Sequence, residues 1–190
     1  IPPGGGVAGV VSRLDRERGP HHTPANAVIY EATDVVEVFD RIGQDQLYRA
    51  GINNLRCTPG RGIEIWGGRT LDRDPPGSFV AHRRLLHRLV RAAHRVAEPL
   101  VFDVNGPELW LTVVRALTTV LLEAYRSGGL KGLTPEEAFR VQCDEELNPP
   151  TERDDGRVLC LVSLAPASPM EFIVLRLTFG LQGALEVVEA

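Results

Sequence analysis

The stretch GINNLRCTPGRGIEIWGGRTLD, residues 51–72, constrains the fold more than any other part of the chain. Two short strand-like runs, 54–57 and 62–66, flank the turn Thr58-Pro59-Gly60-Arg61-Gly62. Proline presets φ and glycine admits φ > 0, so a tight reversal is expected, with Gly60 and Gly62 in left-handed positions. In the second run Ile63 and Ile65 alternate with Glu64 and Trp66, the period of two that gives a strand two unlike faces. Gly67-Gly68 ends it. The residues by themselves predict a core hairpin and nothing catalytic.

The remaining chain reads as helices and strands around that hairpin. Residues 1–26, rich in Pro, Gly and charge, predict an irregular opening segment, a short strand and then a surface loop. Residues 27–32 and 35–39 are strand-like, 44–49 form a short helical turn, and 72–78, with Pro75-Pro76-Gly77, form a loop. Leu85, Leu86, Leu89, Val90, Ala93, Val96 and Ala97 recur at helical spacing and predict an amphipathic helix over 79–97. A strand at 100–104 precedes a second helix that opens at Pro107 and stops at Ser127-Gly128-Gly129. Thr134-Pro135-Glu136-Glu137 has the pattern of a capping box. Strands follow at 139–143, 158–164 and 172–179, joined by a polar loop over 144–156 and a short one over 165–169. The order predicts an α/β fold, a mixed sheet flanked by two main helices, with a C-terminal hairpin and an extended terminal arm. Residues 1–179 are expected to form one core domain and 180–190 the arm.

Composition narrows the function. The 190 residues are 43% apolar and 24% charged, and the net charge of −4 argues against a nucleic-acid partner. Cys57, Cys143 and Cys160 are odd in number and each lies in an apolar run, as expected of buried thiols in a reducing compartment. No apolar run approaches the roughly 18 residues of a membrane span, so direct membrane insertion is not expected. His87 and His94 lie two helical turns apart, and His21-His22 lack ligand spacing, so neither predicts a metal site. The glycine-rich pieces fit no phosphate-binding frame, and no cofactor is implied. Asp144-Glu145-Glu146 admit a reading as paired catalytic carboxylates, but an acidic loop after a strand accounts for them better.

Two features point to assembly. Arg84, Arg88, Arg91 and Arg95, at i, i+4, i+7 and i+11, form a basic stripe on the first long helix. Like charges at that spacing cost the helix a few tenths of a kcal/mol each, so the stripe reads as a solvated face or as a contact with an acidic neighbour. After the strand at 172–179, Gly180 and Gly183 flank a short apolar piece with Leu181, Leu185, Val187 and Val188. An exposed apolar strand of this kind either packs back or pairs with another chain. In this chain alone it is expected to be mobile, folded back or paired with a neighbour.

The chain resembles the contractile tail-sheath proteins, the sheath subunits of phage tails and of phage-tail-like contractile injection systems. The likeness is carried by GINNLRCTPGRGIEIWGGRTL, by Pro2-Pro3-Gly4 to Val11, by Arg13 to Gly19, and by Thr23-Pro24-Ala25-Asn26. His82 to Leu86, 99–105, Thr134 to Phe139, Cys143-Asp144-Glu145, Leu164-Ala165-Pro166 and 169–176 continue it in the family's order. One departure stands out: where the family's helix turns acidic after its Arg-Arg-Leu-Leu start, this one carries Arg91, Ala92 and Arg95.

What the resemblance implies is a structural subunit without enzymatic activity, polymerising with itself as stacked hexameric rings around an inner tube protein and contracting to drive the tube through a target envelope. Baseplate and tail-terminator proteins are the further partners it implies, in a particle assembled in the cytoplasm of the producing cell and sometimes released. It also implies that terminal arms link neighbours, which makes Leu181, Leu185, Val187 and Val188 the donor strand and the four arginines the tube or neighbour contact. A chain that starts at Ile1 inside such a protein is expected to be a fragment. The rival readings are a small carboxylate-based enzyme domain and a monomeric basic-helix adaptor for an acidic protein.

Overall fold

The computed structural model describes residues 2–72, 74, 77–167, 173–179 and 185–189, the last two stretches through their backbone pairing. The chain divides into two compact units, Ile1–Leu85 and Leu86–Ala190. Helices combine with two small antiparallel sheets, within the α/β class read from the sequence.

In the first unit, helices α1 (Gly4–Glu17) and α2 (Arg41–Arg49) accompany a hairpin of β1 (Asn54–Thr58) and β2 (Gly62–Trp66). The antiparallel register pairs Asn54 with Trp66 and Thr58 with Gly62. The Arg61 amide donates to the Thr58 carbonyl at 3.0 Å, and Gly60 and Gly62 stand at φ 77° and 88°. Proline followed by a positive-φ glycine is the pattern of a type II turn, so the expected reversal is present.

The opening segment differs from expectation, because α1 is a regular helix. Each glycine at its start costs about 1 kcal/mol of helix propensity relative to alanine, and that composition suggested irregularity. Burial overrides it. Val7, Val10 and Leu14 share one helical face, and buried Val10 and Leu14 cluster with Ile65, with Val7, Ala27, Ile29 and Leu55 packed around them.

Three expected strands are likewise corrected. Residues 27–32 contribute one bridge, Val28 to Glu64, with Ile65 donating to Ala27 and Ile29 donating to Ile63, both at 2.9 Å. The extended stretch is short because Asn26 and Glu31 on either side take positive φ, 62° and 63°. Residues 35–39 form no strand, and the side chains of Val36 and Val38 are exposed. At 100–104 a 3-10 turn, Glu98–Leu100, is followed by a bend with Phe102 at φ 80°. In both places the pattern is strand-like, yet among the described residues neither stretch pairs with a strand. The expected helical turn at 44–49 extends back to Arg41, where Asp40 caps it by accepting from the Gly43 amide at 2.8 Å.

The boundary between units falls inside α3 (Val80–Ala97). The second unit continues with α4 (Pro107–Arg126), α5 (Pro135–Ala138), β3 (Phe139–Gln142), α6 (Pro150–Asp154), β4 (Val158–Leu164), β5 (Ile173–Phe179) and β6 (Leu185–Glu189). Its sheet runs β3-β4-β5-β6, each pair antiparallel. Leu89, Val90 and Ala93 of α3 meet Leu117, Val120 and Leu121 of α4 and Val162 of β4 around a small void of about 20 Å³. Strand β4 alternates between buried and half-buried positions along its whole length. The expected polar loop over 144–156 contains α6. The expected Thr134 cap is not made; instead Glu137 accepts from the Leu133 amide at 2.9 Å. Pro75, Pro76, Pro169, Phe172 and Leu181 lie outside the described residues.

The turn yields a stability prediction. An added Cβ at Gly60 meets nothing within 4 Å, and at Gly62 only Val28 Cγ1 at 3.9 Å. Gly60→Val or Gly62→Val therefore introduces little clash but forces a β-branched residue into left-handed backbone. We predict a loss of roughly 1 kcal/mol or more for each, read as a lower denaturant midpoint. Unchanged midpoints in both variants contradict the turn assignment.

Candidate assembly surfaces

The four arginines of α3 do not act alike. Arg84 forms an ion pair with Asp15 of α1 and is largely covered. Arg88 reaches Glu123 of α4 at 3.3 Å, with both side chains half-exposed or more. Pairs of that exposure contribute about 0–1 kcal/mol. Arg91 and Arg95 are exposed and make no ion pair among the described residues. Arg95 lies in the last helical turn, where a cation is favoured by the helix dipole. The stripe seen in the sequence therefore separates into two internally engaged arginines and two outward-facing ones.

The terminal arm is the second expected surface. Leu185, Val187 and Val188 lie on β6, which folds back antiparallel to β5, with Leu185 opposite Phe179, Val187 opposite Leu177 and Val188 opposite Arg176. Strands β3 and β6 are the two edges of this sheet. An edge strand leaves one row of main-chain donors and acceptors without a partner strand.

Sequence reasoning missed the charged face of the hairpin. Glu64 is 1% exposed. Its carboxylate accepts from Thr58 Oγ1 at 2.8 Å and faces Arg56 and Arg61, each at 3.4 Å. Arg56 in turn lies over the Trp66 ring, 3.5 Å from its centroid, and donates to Asn26 Oδ1 at 3.2 Å. The signal was available: Arg56 is the direct cross-strand partner of Glu64, and opposite charges at such positions attract. The Thr58 hydrogen bond, then Arg61 and Arg56, hold the Glu64 carboxyl below its ordinary 4.5 against the opposing effect of burial.

Of the carboxylates at 144–146, Asp144 is held in a hydrogen-bonded turn. Asp144 accepts from the Leu147 amide at 3.0 Å and from Gln142 Nε2 at 2.8 Å. Those bonds lower its pKa, opposite to the rise that prepares a general acid. Glu145 is exposed and lies 4.0 Å from Arg153. Among the described residues no three His, Cys, Asp or Glu side chains gather as a metal site, and no helix is long and apolar enough to cross a membrane.

The Glu64 cluster makes a pH prediction. A depressed carboxyl pKa contributes stability that is present above pH 4.5 and is lost as pH falls through the folded-state value below it. Glu64→Gln is expected to destabilise the protein at pH 7 by about 1–3 kcal/mol. The gap between wild type and variant in urea midpoint should narrow as pH drops below 4.5. A gap that stays constant down to pH 3 contradicts this role.

Comparison with known proteins follows the same lines. No known family's sequence profile matches the chain. It is 25% identical over 179 residues to the tail sheath protein of Vibrio phage KVP40, covering 92% of this chain and 26% of that one. With the tail sheath protein of Enterobacteria phage T4 it shares 25% over 188 residues, covering 97% and 28%. Among solved structures, a chain of the 6-fold symmetrised baseplate of the anti-feeding prophage superposes with a TM-score of 0.84 at 32% identity, over 90% of this chain and 48% of that one. The contracted helical sheath of the same particle gives 0.81 at 32%, covering 90% and 49%. The contracted PVC sheath complex of an extracellular contractile injection system gives 0.81 at 28%, covering 86% and 47%. The chain thus spans about a quarter of the phage proteins and about half of the solved chains. Sequence and fold agree, and together they support a contractile tail-sheath protein, matched over nearly all of this chain.

Proposed function

We propose that this chain is part of a structural subunit that polymerises as a sheath around an inner tube and contracts to drive that tube through a target envelope. The observation that carries the reading is the joint likeness in sequence and fold to sheath chains over about nine-tenths of this chain. The partners it suggests are further copies of the same subunit, the inner tube and a baseplate, and it calls for no enzymatic step. Purified full-length protein that forms tubes under the electron microscope supports the proposal. A protein that stays monomeric, with or without inner tube, argues against it.

Within that reading the arm at 180–190 serves as donor strand. The β5–β6 ladder joins five residue pairs, and the same pairs form if a neighbour's arm replaces the chain's own. Such an exchange alters few contacts, which makes it a low-cost route to linking subunits. Deleting 181–190 from the full-length protein is expected to leave a soluble, folded subunit that no longer polymerises. Ordered contractile tubes from the deleted protein would overturn the exchange.

Arg91 and Arg95 serve as the outward charge of α3 toward an acidic neighbour or the tube. Arg88 and Arg84 contribute less, since each already has an internal partner. Arg91→Glu with Arg95→Glu is predicted to leave the protein folded, at a cost of about 1 kcal/mol or less from the helix dipole, and to reduce co-sedimentation with tube, with the wild-type advantage shrinking as salt rises. Wild-type co-sedimentation by the double variant at low salt rejects this face.

A further inference from the structure

We propose that Cys143 and Cys160 form a cross-strand dithiol that a low-molecular-mass disulfide, such as oxidised glutathione, converts to an intramolecular disulfide joining β3 to β4. The sequence predicts three buried thiols; Cys57 is instead exposed, on a two-stranded hairpin, and the register brings the other two together. In the β3–β4 ladder Phe139 faces Leu164 and Gln142 faces Leu161, so the next pair along is Cys143 and Cys160. The Ala165 amide donates to the Ala138 carbonyl at 2.8 Å, which makes that pair a hydrogen-bonded one. Alternation along an antiparallel ladder then places Cys143 and Cys160 at a non-hydrogen-bonded position, where opposed Cα atoms approach to about 4.5 Å and side chains come closest. That separation falls within the roughly 4.4–6.8 Å that a disulfide spans.

The surroundings suit the chemistry. The ladder ends here because buried Asn148 takes the place of a strand partner. Its Oδ1 accepts from the Leu159 amide at 2.6 Å and its Nδ2 donates to the Leu159 carbonyl at 3.0 Å. The same Nδ2 donates its second hydrogen to the Asp144 carbonyl at 2.9 Å and lies 3.8 Å from Cys143 Sγ, which fixes the turn beside that sulfur. Cys143 is half-buried, whereas Cys160 is 1% exposed. The neighbouring Cys143 side chain and then burial push the Cys160 thiol far above its ordinary value. The order of events follows from access, Cys143 being the thiol that a solute can reach.

The Cys143 thiolate attacks one sulfur of oxidised glutathione, forming a mixed disulfide and expelling one glutathione thiolate. The Cys160 sulfur then attacks Cys143 Sγ, its proton passing to the departing thiolate, which leaves as the second glutathione. The protein loses two electrons and two protons, and oxidised glutathione becomes two reduced glutathione molecules. The product closes residues 143–160, with α6 inside the loop, and ties an edge strand of the four-stranded sheet to its neighbour.

The test uses full-length protein carrying Cys57→Ser, which removes the exposed third thiol. After equilibration in glutathione buffers of graded ratio, quenching and alkylation, intact and peptide masses identify each cysteine's state. The expected result is a linked Cys143–Cys160 peptide, loss of two hydrogens, reversal by dithiothreitol and a higher denaturant midpoint for the oxidised form. Folding should lower the oxidised-to-reduced ratio at half-conversion by about tenfold or more relative to the chain in denaturant. Cys160→Ser should stop at a glutathione adduct on Cys143, with Cys160→Ala as the second variant if serine perturbs the core. Accumulation of that adduct in the protein that retains Cys160, no reaction at either thiol, or equal half-conversion ratios in folded and denatured chains each overturn the proposal.

Discussion

A single carboxylate, buried at Glu64, sets the requirements that the surrounding sequence meets. Removing an ion from water costs several kcal/mol unless partners replace the lost hydration. Here Thr58, Arg56 and Arg61 supply them, and the turn Pro59-Gly60 brings the last of these back over the strand. The arrangement also fixes register. Sliding β1 by one residue would place Arg56 against the isoleucine face and turn Glu64 away from its donors. An apolar residue at 64 would tolerate such a slip more readily. The same strand serves the first unit's core from its other face, since Ile65 packs with Val10 and Leu14 of α1. Hairpin, helix and the bridge from Val28 are therefore joined at β2.

That arrangement explains which parts of the fold were legible in the sequence. The hairpin was readable because turn chemistry is local: Pro59, Gly60 and Gly62 specify it within five residues. The long helices were readable because each carries its own apolar stripe, and α4 begins and ends near its Pro and Gly signals. Helix α1 was obscured because its propensity is poor and its justification is tertiary, lying in contacts with residues 27, 29, 55 and 65. The stretches 35–39 and 100–104 misled in the opposite sense, since a strand-like pattern describes a strand's faces but not whether an edge exists to receive it. Charge was the least legible quantity. Four arginines at regular spacing look equivalent, yet Asp15 lies 69 positions and Glu123 35 positions from the arginines they engage, and no helical period shows either.

In the proposed assembly the two surfaces divide the mechanical work between them. A transition between two sheath states requires some contacts to exchange while others hold. Exposed arginine contacts are each worth about 0–1 kcal/mol and are screened by salt, so they form and break at small cost. A backbone ladder is different in kind. Its groups become unsatisfied together if the strand leaves, and a buried donor or acceptor without a partner costs about 1–3 kcal/mol. The five paired positions of β5 and β6 would therefore persist through a movement that rearranges Arg91 and Arg95. On this physical division the proposed arm would tether neighbours and the proposed helix face would report which state they occupy. The contacts that differ between extended and contracted packing should be sought on side chains of α3 before they are sought in the sheet.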